Sequence, residues 1–364
     1  MYLQQLRVYQ FRNLDTAELN WNRSFNVIWG QNGQGKTNVL EAIYLLAHLK
    51  SFRQSRSGEL IRFGEEQAQL AGKVEQQDGI CNLQLRLDRE GKKPTVNGKS
   101  VSRPADFLGK LRVVLFTPEE MVIIRGYPAG RRALLDRAVL QTDAAYLVRY
   151  QDYARILKQR NSLLKTGASD ALLQPWTTAL IQAGSRLRHD RQQFLERFQP
   201  TLQHIYRDIC GGREQVDLRY SVAPKGEQQL QEELTEECRK NLLREKSLGQ
   251  TLCGPHRDDL EPQLDGRSLR SFGSQGQQRS FLLAFRAAQV IDLQRQFGSP
   301  PVLLLDDLAS ELDTQRQTGF IEFLHRQSGQ VFLSTATSAG ISKIAPEETN
   351  YYRVADGKVV VCQP

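Results

Sequence analysis

Residues 30–37 read Gly30-Gln31-Asn32-Gly33-Gln34-Gly35-Lys36-Thr37. The stretch satisfies the pattern Gly-x-x-x-x-Gly-Lys-Ser/Thr of a phosphate-binding loop. Each residue type has a task in that chemistry. The glycines let backbone N–H groups curl around an anion, and the start of the following helix adds its positive end. Lys36 places a charge on the β and γ phosphate oxygens, and Thr37 offers its hydroxyl to Mg²⁺. The flanks suit the motif. Phe25-Asn26-Val27-Ile28-Trp29 is a short apolar strand, and Val39, Leu40, Ile43 and Leu46 follow at helical spacing. A plain glycine-rich turn explains neither flank. The loop implies that residues 30–37 bind ATP together with Mg²⁺.

Such a loop needs a carboxylate. Pro301-Val302-Leu303-Leu304-Leu305-Asp306-Asp307 supplies one at the end of an apolar strand. Asp306 is placed on Mg²⁺ beside Thr37, and Asp307 where a base polarises the attacking water. The two motifs stand most of the chain apart. A minimal phosphate-loop domain is smaller than that, so a large insertion separates them.

The chain has 364 residues, enough for two or three domains with a sizeable core. Charged residues make up 25% and apolar ones 40%, as in soluble globular proteins. No run of eighteen apolar residues predicts a membrane span, and the polar N-terminus lacks the apolar core of a signal peptide. The five cysteines (Cys81, Cys210, Cys238, Cys253 and Cys362) are scattered with no Cys-x-x-Cys pair. They suggest neither a disulfide framework nor a zinc site, and fit a reducing cytoplasm.

Three zones follow one another. Up to about Arg112 the pattern is mostly short strands. Cys81–Leu87 alternates apolar and polar residues, and Asn97-Gly98 marks a tight turn. From Met121 to Gly249, apolar residues recur at helical spacing in 144–164, 179–198 and 230–243, which reads as packed short helices. From Thr251 onward the pattern is α/β, with helices over 275–297 and 313–327 and strands over 302–305 and 330–334. The expected organisation is an ATPase head of 1–120 and 250–364 and a helical lobe of 121–249, basic in its first part. Net charge is +8, from 49 Lys and Arg against 41 Asp and Glu. Residues 121–207 alone hold 14 basic and 6 acidic residues. That excess fits a polyanion partner or a solvated helical surface.

Further motifs narrow the class. Ser274-Gln275-Gly276-Gln277 precedes the acidic strand and resembles the signature of ABC-type ATPases. Ala309-Ser310-Glu311-Leu312-Asp313 resembles their D-loop. Phe11-Arg12-Asn13 is similar to the same region in heads of the SMC and Rad-fifty type. Ser51-Phe52-Arg53, Arg131-Arg132-x-x-Leu135-Asp136 and Cys253-Gly254-Pro255-His256-Arg257-Asp258-Asp259-Leu260 are similar to blocks of the RecF family. On these residues, spread from 1 to about 360, the chain is identified as a member of that family of bacterial recombination-repair ATPases.

The resemblance implies an α/β ABC-type head with an antiparallel β subdomain and an inserted helical second lobe. It implies an ATP-dependent homodimer in which Ser274 and Gln277 of one chain face nucleotide on the loop of the other. Arg12 is expected near that nucleotide. Double-stranded DNA, single/double-strand junctions, and RecR with RecO and RecA through it are the implied partners. The implied setting is repair, replication and the SOS response, with slow hydrolysis causing release. Arg131, Arg132, Arg149, Arg155 and Lys158 are candidate DNA contacts. No base-reading motif appears, so binding is expected to be phosphate-directed and salt-sensitive. Asp307 stands where many ABC proteins have Glu, and Thr335 where many have a switch His. Both departures point to slow turnover. The Q-loop is sought in Leu115-Phe116-Thr117-Pro118-Glu119. His256, without further ligands for a metal, reads as a hydrogen-bonded structural residue or a contact close to nucleotide. A transporter ATPase subunit and a non-hydrolysing scaffold are the competing readings.

Overall fold

The computed structural model describes residues 1–53, 55–117, 121–212, 214–307, 319–320, 322–324, 326, 329–336 and 348–362. The chain forms two compact units, one of Met1–Glu120 with Leu282–Pro364 and one of Met121–Phe281.

The first unit holds two six-stranded sheets. One is antiparallel, with Leu14–Asn20, Tyr2–Phe11, Ala68–Gln76, Gly79–Asp88, Gly91–Val96 and Lys99–Ser100 in spatial order. Cys81, Leu83, Leu85 and Leu87 point inward, and their neighbours are mostly exposed. That alternation marks a sheet with one wet face. In the other sheet Thr349–Ala355, Phe25–Trp29, Val331–Thr335, Val302–Asp306 and Val113–Phe116 run parallel, and Lys358–Cys362 joins antiparallel at the edge. The apolar runs Val113–Phe116, Val302–Asp306 and Val331–Thr335 are buried on both faces, as parallel strands require.

Helix Lys36–His48 starts at the phosphate loop and is buried nearly all round. Its Val39, Leu40, Ile43 and Leu46 share one core with Leu6, Val8 and Leu83 of the first sheet and Val302, Leu304 and Phe332 of the second. A helix apolar on every side needs cover on every side, and the two sheets provide it.

The second unit is built on helices Pro128–Thr142, Ala144–Lys165, Asp170–Cys210 and Glu227–Leu248, with a small antiparallel sheet. Two expectations change here. The short helix expected over 179–198 is part of a 41-residue helix, roughly 60 Å long at the usual rise. Pro175 and Pro200 lie inside it. Burial of Leu180, Leu187, Phe194, Phe198 and Leu202 outweighs their lost backbone bonds. The unit also ends at Phe281 instead of 249, because Leu260–Leu264 pairs with Val216–Tyr220. No helix among the described residues is long and apolar enough to cross a membrane.

The arginines of this unit are largely internal. Arg191 sits in a two-pronged pair with Asp136 (2.8 and 3.0 Å) and donates to the Pro255 carbonyl (2.8 Å). Arg188 grips Asp258 (3.0 and 2.8 Å) and Glu237 (2.9 and 3.1 Å). Arg160 reaches Glu245 at 2.7 Å with both side chains fully buried. Cys238 and Cys253 form a disulfide, with Cα atoms 5.4 Å apart. The scattered cysteine pattern gave no sign of that pair, whose separation of 15 residues matches no spacing motif.

Replacing Arg191 by Met leaves Asp136 short of its partner in the interior. The expected loss is about 3–5 kcal/mol of folding stability. Arg155→Ala, at a side chain 77% exposed, should leave the denaturant midpoint where it is. Equal midpoints for the two variants would show that the internal pairs do not hold this unit.

Candidate nucleotide-binding site

The loop is preformed. Gly30 donates its N–H to the Thr335 carbonyl at 3.3 Å, tying the loop to the end of the neighbouring strand. The Lys36 ammonium donates to the carbonyls of Gly30 (2.5 Å) and Gln31 (3.0 Å) and to Asn32 Oδ1 (3.4 Å). Burial pushes its pKa down, and Asp307 and Asp306 push back. The charge is thus held by loop oxygens that a phosphate group can replace. Gly35 has φ +116, and a Cβ there would lie 2.6 Å from Asn13 Oδ1. No other residue fits.

Asp306 lies beside Thr37 although most of the sequence separates them. Its Oδ1 accepts from the Thr37 hydroxyl (3.1 Å) and the Ser334 hydroxyl (2.5 Å). Burial raises its pKa, and those hydroxyls hold the rise back. A hydroxyl and a carboxylate side by side form a donor set suited to a hard cation, so Thr37 and Asp306 fit Mg²⁺. Asp307 turns into the left-handed region at φ +45 and gives its N–H to Ser334 Oγ at 3.1 Å. Ser334 therefore serves both aspartates. The sequence reading passed over it, although a serine closing an apolar strand was the available signal. Thr335 ends that strand in register with Trp29.

Arg12 binds the helix that follows the loop. Its guanidinium makes a two-pronged pair with Glu41 (3.0 and 2.8 Å) and also donates to Ser55 Oγ and the Glu59 carbonyl. Glu41 is fully buried on the helix and takes the Ser51 hydroxyl as well (2.5 Å). A buried carboxylate draws such partners, and Arg12 thereby ties the first hairpin to the helix that the loop opens.

In the second unit Ser274 opens helix Gln275–Phe297 with a reciprocal cap. Its Oγ accepts from Gln277 N–H (3.2 Å), and Gln277 Oε1 accepts from Ser274 N–H (2.7 Å). Gln277 Nε2 donates to Glu214 at 2.7 Å. The helix start is thereby fixed and Ser274 stays exposed. Thr117 follows strand Val113–Phe116, and its buried hydroxyl has no partner among the described residues. Pro118, Glu119, the segment 309–313 and most of the helix expected over 313–327 lie outside the described residues.

A family model described as RecF/RecN/SMC N terminal domain matches residues 2–358. DNA replication and repair protein RecF of Syntrophotalea carbinolica is 43% identical over 360 residues, covering 99% of each chain. The protein of that name from Citrifermentans bemidjiense is also 43% identical, over 99% of this chain and 100% of its own. The chain belongs to the RecF family. A solved structure of the recombination mediator protein RecF with ATP, in the RecFOR pathway, superposes with TM-score 0.92 at 30% identity, covering 100% of this chain and 98% of that one. An Smc head bound to the C-winged helix domain of ScpA matches at TM-score 0.58 and 16% identity, which speaks for the fold alone. The fold is thus the ABC/SMC-type ATPase head.

The candidate DNA contacts of this RecF-family chain divide sharply. Arg131 is buried in a pair with Asp259 (2.9 and 2.7 Å) and donates to the Ile124 and Gly126 carbonyls. It is a structural residue and not, as its charge suggested, a DNA contact. Arg149 is held by Asp190 (2.7 Å) and Asp143, and Arg132 donates to the Asp258 carbonyl (2.6 Å). Arg155 and Lys158 are exposed. His256 accepts from the Tyr153 hydroxyl (2.6 Å) and donates to the Thr251 carbonyl (3.2 Å), the structural role of the two read for it. The family's recurrent blocks in this unit are therefore mainly the partners of its internal ion pairs.

Asp306→Asn should stabilise the nucleotide-free protein while destroying metal-dependent chemistry. The native carboxyl binds its proton more tightly than the unfolded one does. Its burial cost is thus present at neutral pH and shrinks as the proton binds in acid. The variant's melting point should exceed the wild type's at pH 7.5, and the gap should close toward pH 4. A variant that melts below the wild type at pH 7.5 would contradict this.

Proposed function

We propose that the protein is an ATP-driven DNA switch of recombinational repair and replication. The observation that carries this is the meeting of Lys36, Thr37 and Asp306 at one preformed loop. The relatives' repair names and the ATP-bound structure support the same reading. ATP lies with its phosphates on residues 30–37, and Lys36 moves from the loop carbonyls to the phosphate oxygens. Thr37 and Asp306 hold Mg²⁺, which supplies charge neutralisation at the phosphates. Ser274 and the first amides of helix Gln275–Phe297 form a second anion site, which takes the γ-phosphate of ATP bound to another copy. Two copies are thereby joined through two nucleotides.

The joined heads hold double-stranded DNA near gaps and single/double-strand junctions, with Arg155, in an exposed pair with Asp152, and Lys158 the candidate contacts open to phosphate. Contacts of this kind depend steeply on salt. RecR, with RecO and RecA through it, are the protein partners, and the cytoplasm is the compartment. Hydrolysis ends the state: water attacks the γ-phosphorus, Asp307 accepts its proton and ADP leaves. Aspartate reaches less far than glutamate and Thr335 carries no charge, so turnover is slow and suits a switch.

Ser274→Arg should leave ATP binding intact and abolish ATP-dependent dimerisation, read by light scattering with nucleotide titration. Loss of ATP binding itself in this variant would contradict the paired arrangement. ATP binding and dimerisation without phosphate release, with or without DNA, would favour a non-hydrolysing scaffold.

A further inference from the structure

Two turns from opposite ends of the chain meet behind the second half of the phosphate loop. Arg12 and Asn13 join strands Tyr2–Phe11 and Leu14–Asn20, which close on the pair Phe11 and Leu14. Asp356 and Gly357 join Thr349–Ala355 to Lys358–Cys362, with φ +49 and +72. That is the two-residue turn with both central residues left-handed. Both turns belong to the same compact unit as the loop.

Their contacts converge on Gln34. Asn13 Nδ2 donates to the Gln34 carbonyl at 2.9 Å. Asn13 Oδ1 accepts from Asn38 Nδ2 at 2.7 Å, in the first turn of the loop helix. Asp356 N–H donates to Gln34 Oε1 at 2.5 Å. Arg53 donates to Asn38 Oδ1 at 2.9 Å and fixes its amide from the far side. Behind Asn13 the fit is close. A Cβ on Gly357 would lie 2.1 Å from the Asn13 carbonyl oxygen. The terminal hairpin thus limits where Asn13 can stand, and Asn13 limits how the loop can turn.

The consequence follows from peptide geometry. In a trans peptide the carbonyl and the next N–H point in opposite directions. With the Gln34 carbonyl held toward Asn13, the Gly35 N–H must face away from it. We propose that Asn13 is a positioning residue for nucleotide binding, turning the Gly35 N–H toward the bound phosphate, and that the Asp356–Gly357 turn is its backstop. Neither residue touches the phosphate. This rests on the proposal that residues 30–37 bind ATP. It also makes the hairpin closing the chain a part of the nucleotide site.

The test is equilibrium binding of a fluorescent ATP analogue to the full chain, paired with the melting point without nucleotide. Asn13→Asp keeps the size and the acceptor toward Asn38 but sets an oxygen against the Gln34 carbonyl. It should bind roughly tenfold more weakly, with the melting point little changed. Gly357→Ala should weaken binding to a similar degree. The double variant should be no weaker than the poorer single one, because both act on the same peptide. Unchanged affinity in Asn13→Asp would overturn the proposal. So would a lowered melting point with affinity intact, since that is what a merely structural turn gives. Lys36→Ala is the control. If it binds the analogue as the wild type does, the nucleotide reading itself has failed and the positioning role falls with it.

Discussion

A loop that grips phosphate through backbone N–H groups must be held still, and here the helix behind it is immobilised by burial between two sheets. The apolar residues of Lys36–His48 belong to one core with both. The price is a carboxylate, Glu41, sealed in that core and neutralised by Arg12 and Ser51. This pairing draws the first hairpin, Ser51 and Ser55 onto the helix. The same core sets Phe25–Trp29, Val302–Asp306 and Val331–Thr335 side by side, so Thr37, Asp306, Ser334 and Thr335 arrive together. The site is a by-product of strand order as much as of any motif.

The second unit solves a different problem. Its helices carry an excess of basic residues, yet Arg131, Arg160, Arg188 and Arg191 are buried against carboxylates. Planar guanidinium groups suit such two-pronged pairs better than lysine does. Regional charge in this protein therefore overstates the surface offered to a polyanion. Asp136, Asp258 and Asp259, in the blocks that resemble the family's recurrent ones, are the matching half of these pairs.

Much of this was legible in the sequence. The phosphate loop, the acidic strand and the helix over 275–297 were placed by short-range pattern, because each is a local signal. The alternation of Cys81–Leu87 and the Asn97-Gly98 turn were readable for the same reason. What escaped was set by distant partners. The pairing of Arg12 with Glu41 joins residues 29 apart in the chain. Arg131 looked like a DNA contact until Asp259 appeared opposite it. The Cys238–Cys253 disulfide joins residues with no spacing motif. Helix Asp170–Cys210 runs well past the 179–198 segment, through Pro175 and Pro200, because the packing that overrides those prolines is not local. Ser334 carries no motif of its own, and Asn13 stands in the Phe11-Arg12-Asn13 stretch without a task that the motif names; strand register and turn geometry reveal their work.

The central claim is that one nucleotide is shared between the loop of one copy and the signature of another. Mixing two defective chains tests it most directly. A Lys36→Arg chain and a Ser274→Arg chain should each remain monomeric alone in ATP. Mixed, they should form a heterodimer with one intact site, made from the loop of the second chain and the signature of the first. Molecular mass measured in ATP should then show dimers only in the mixture, holding half the nucleotide of the wild-type pair. A mixture that stays monomeric while each variant remains folded would contradict the account.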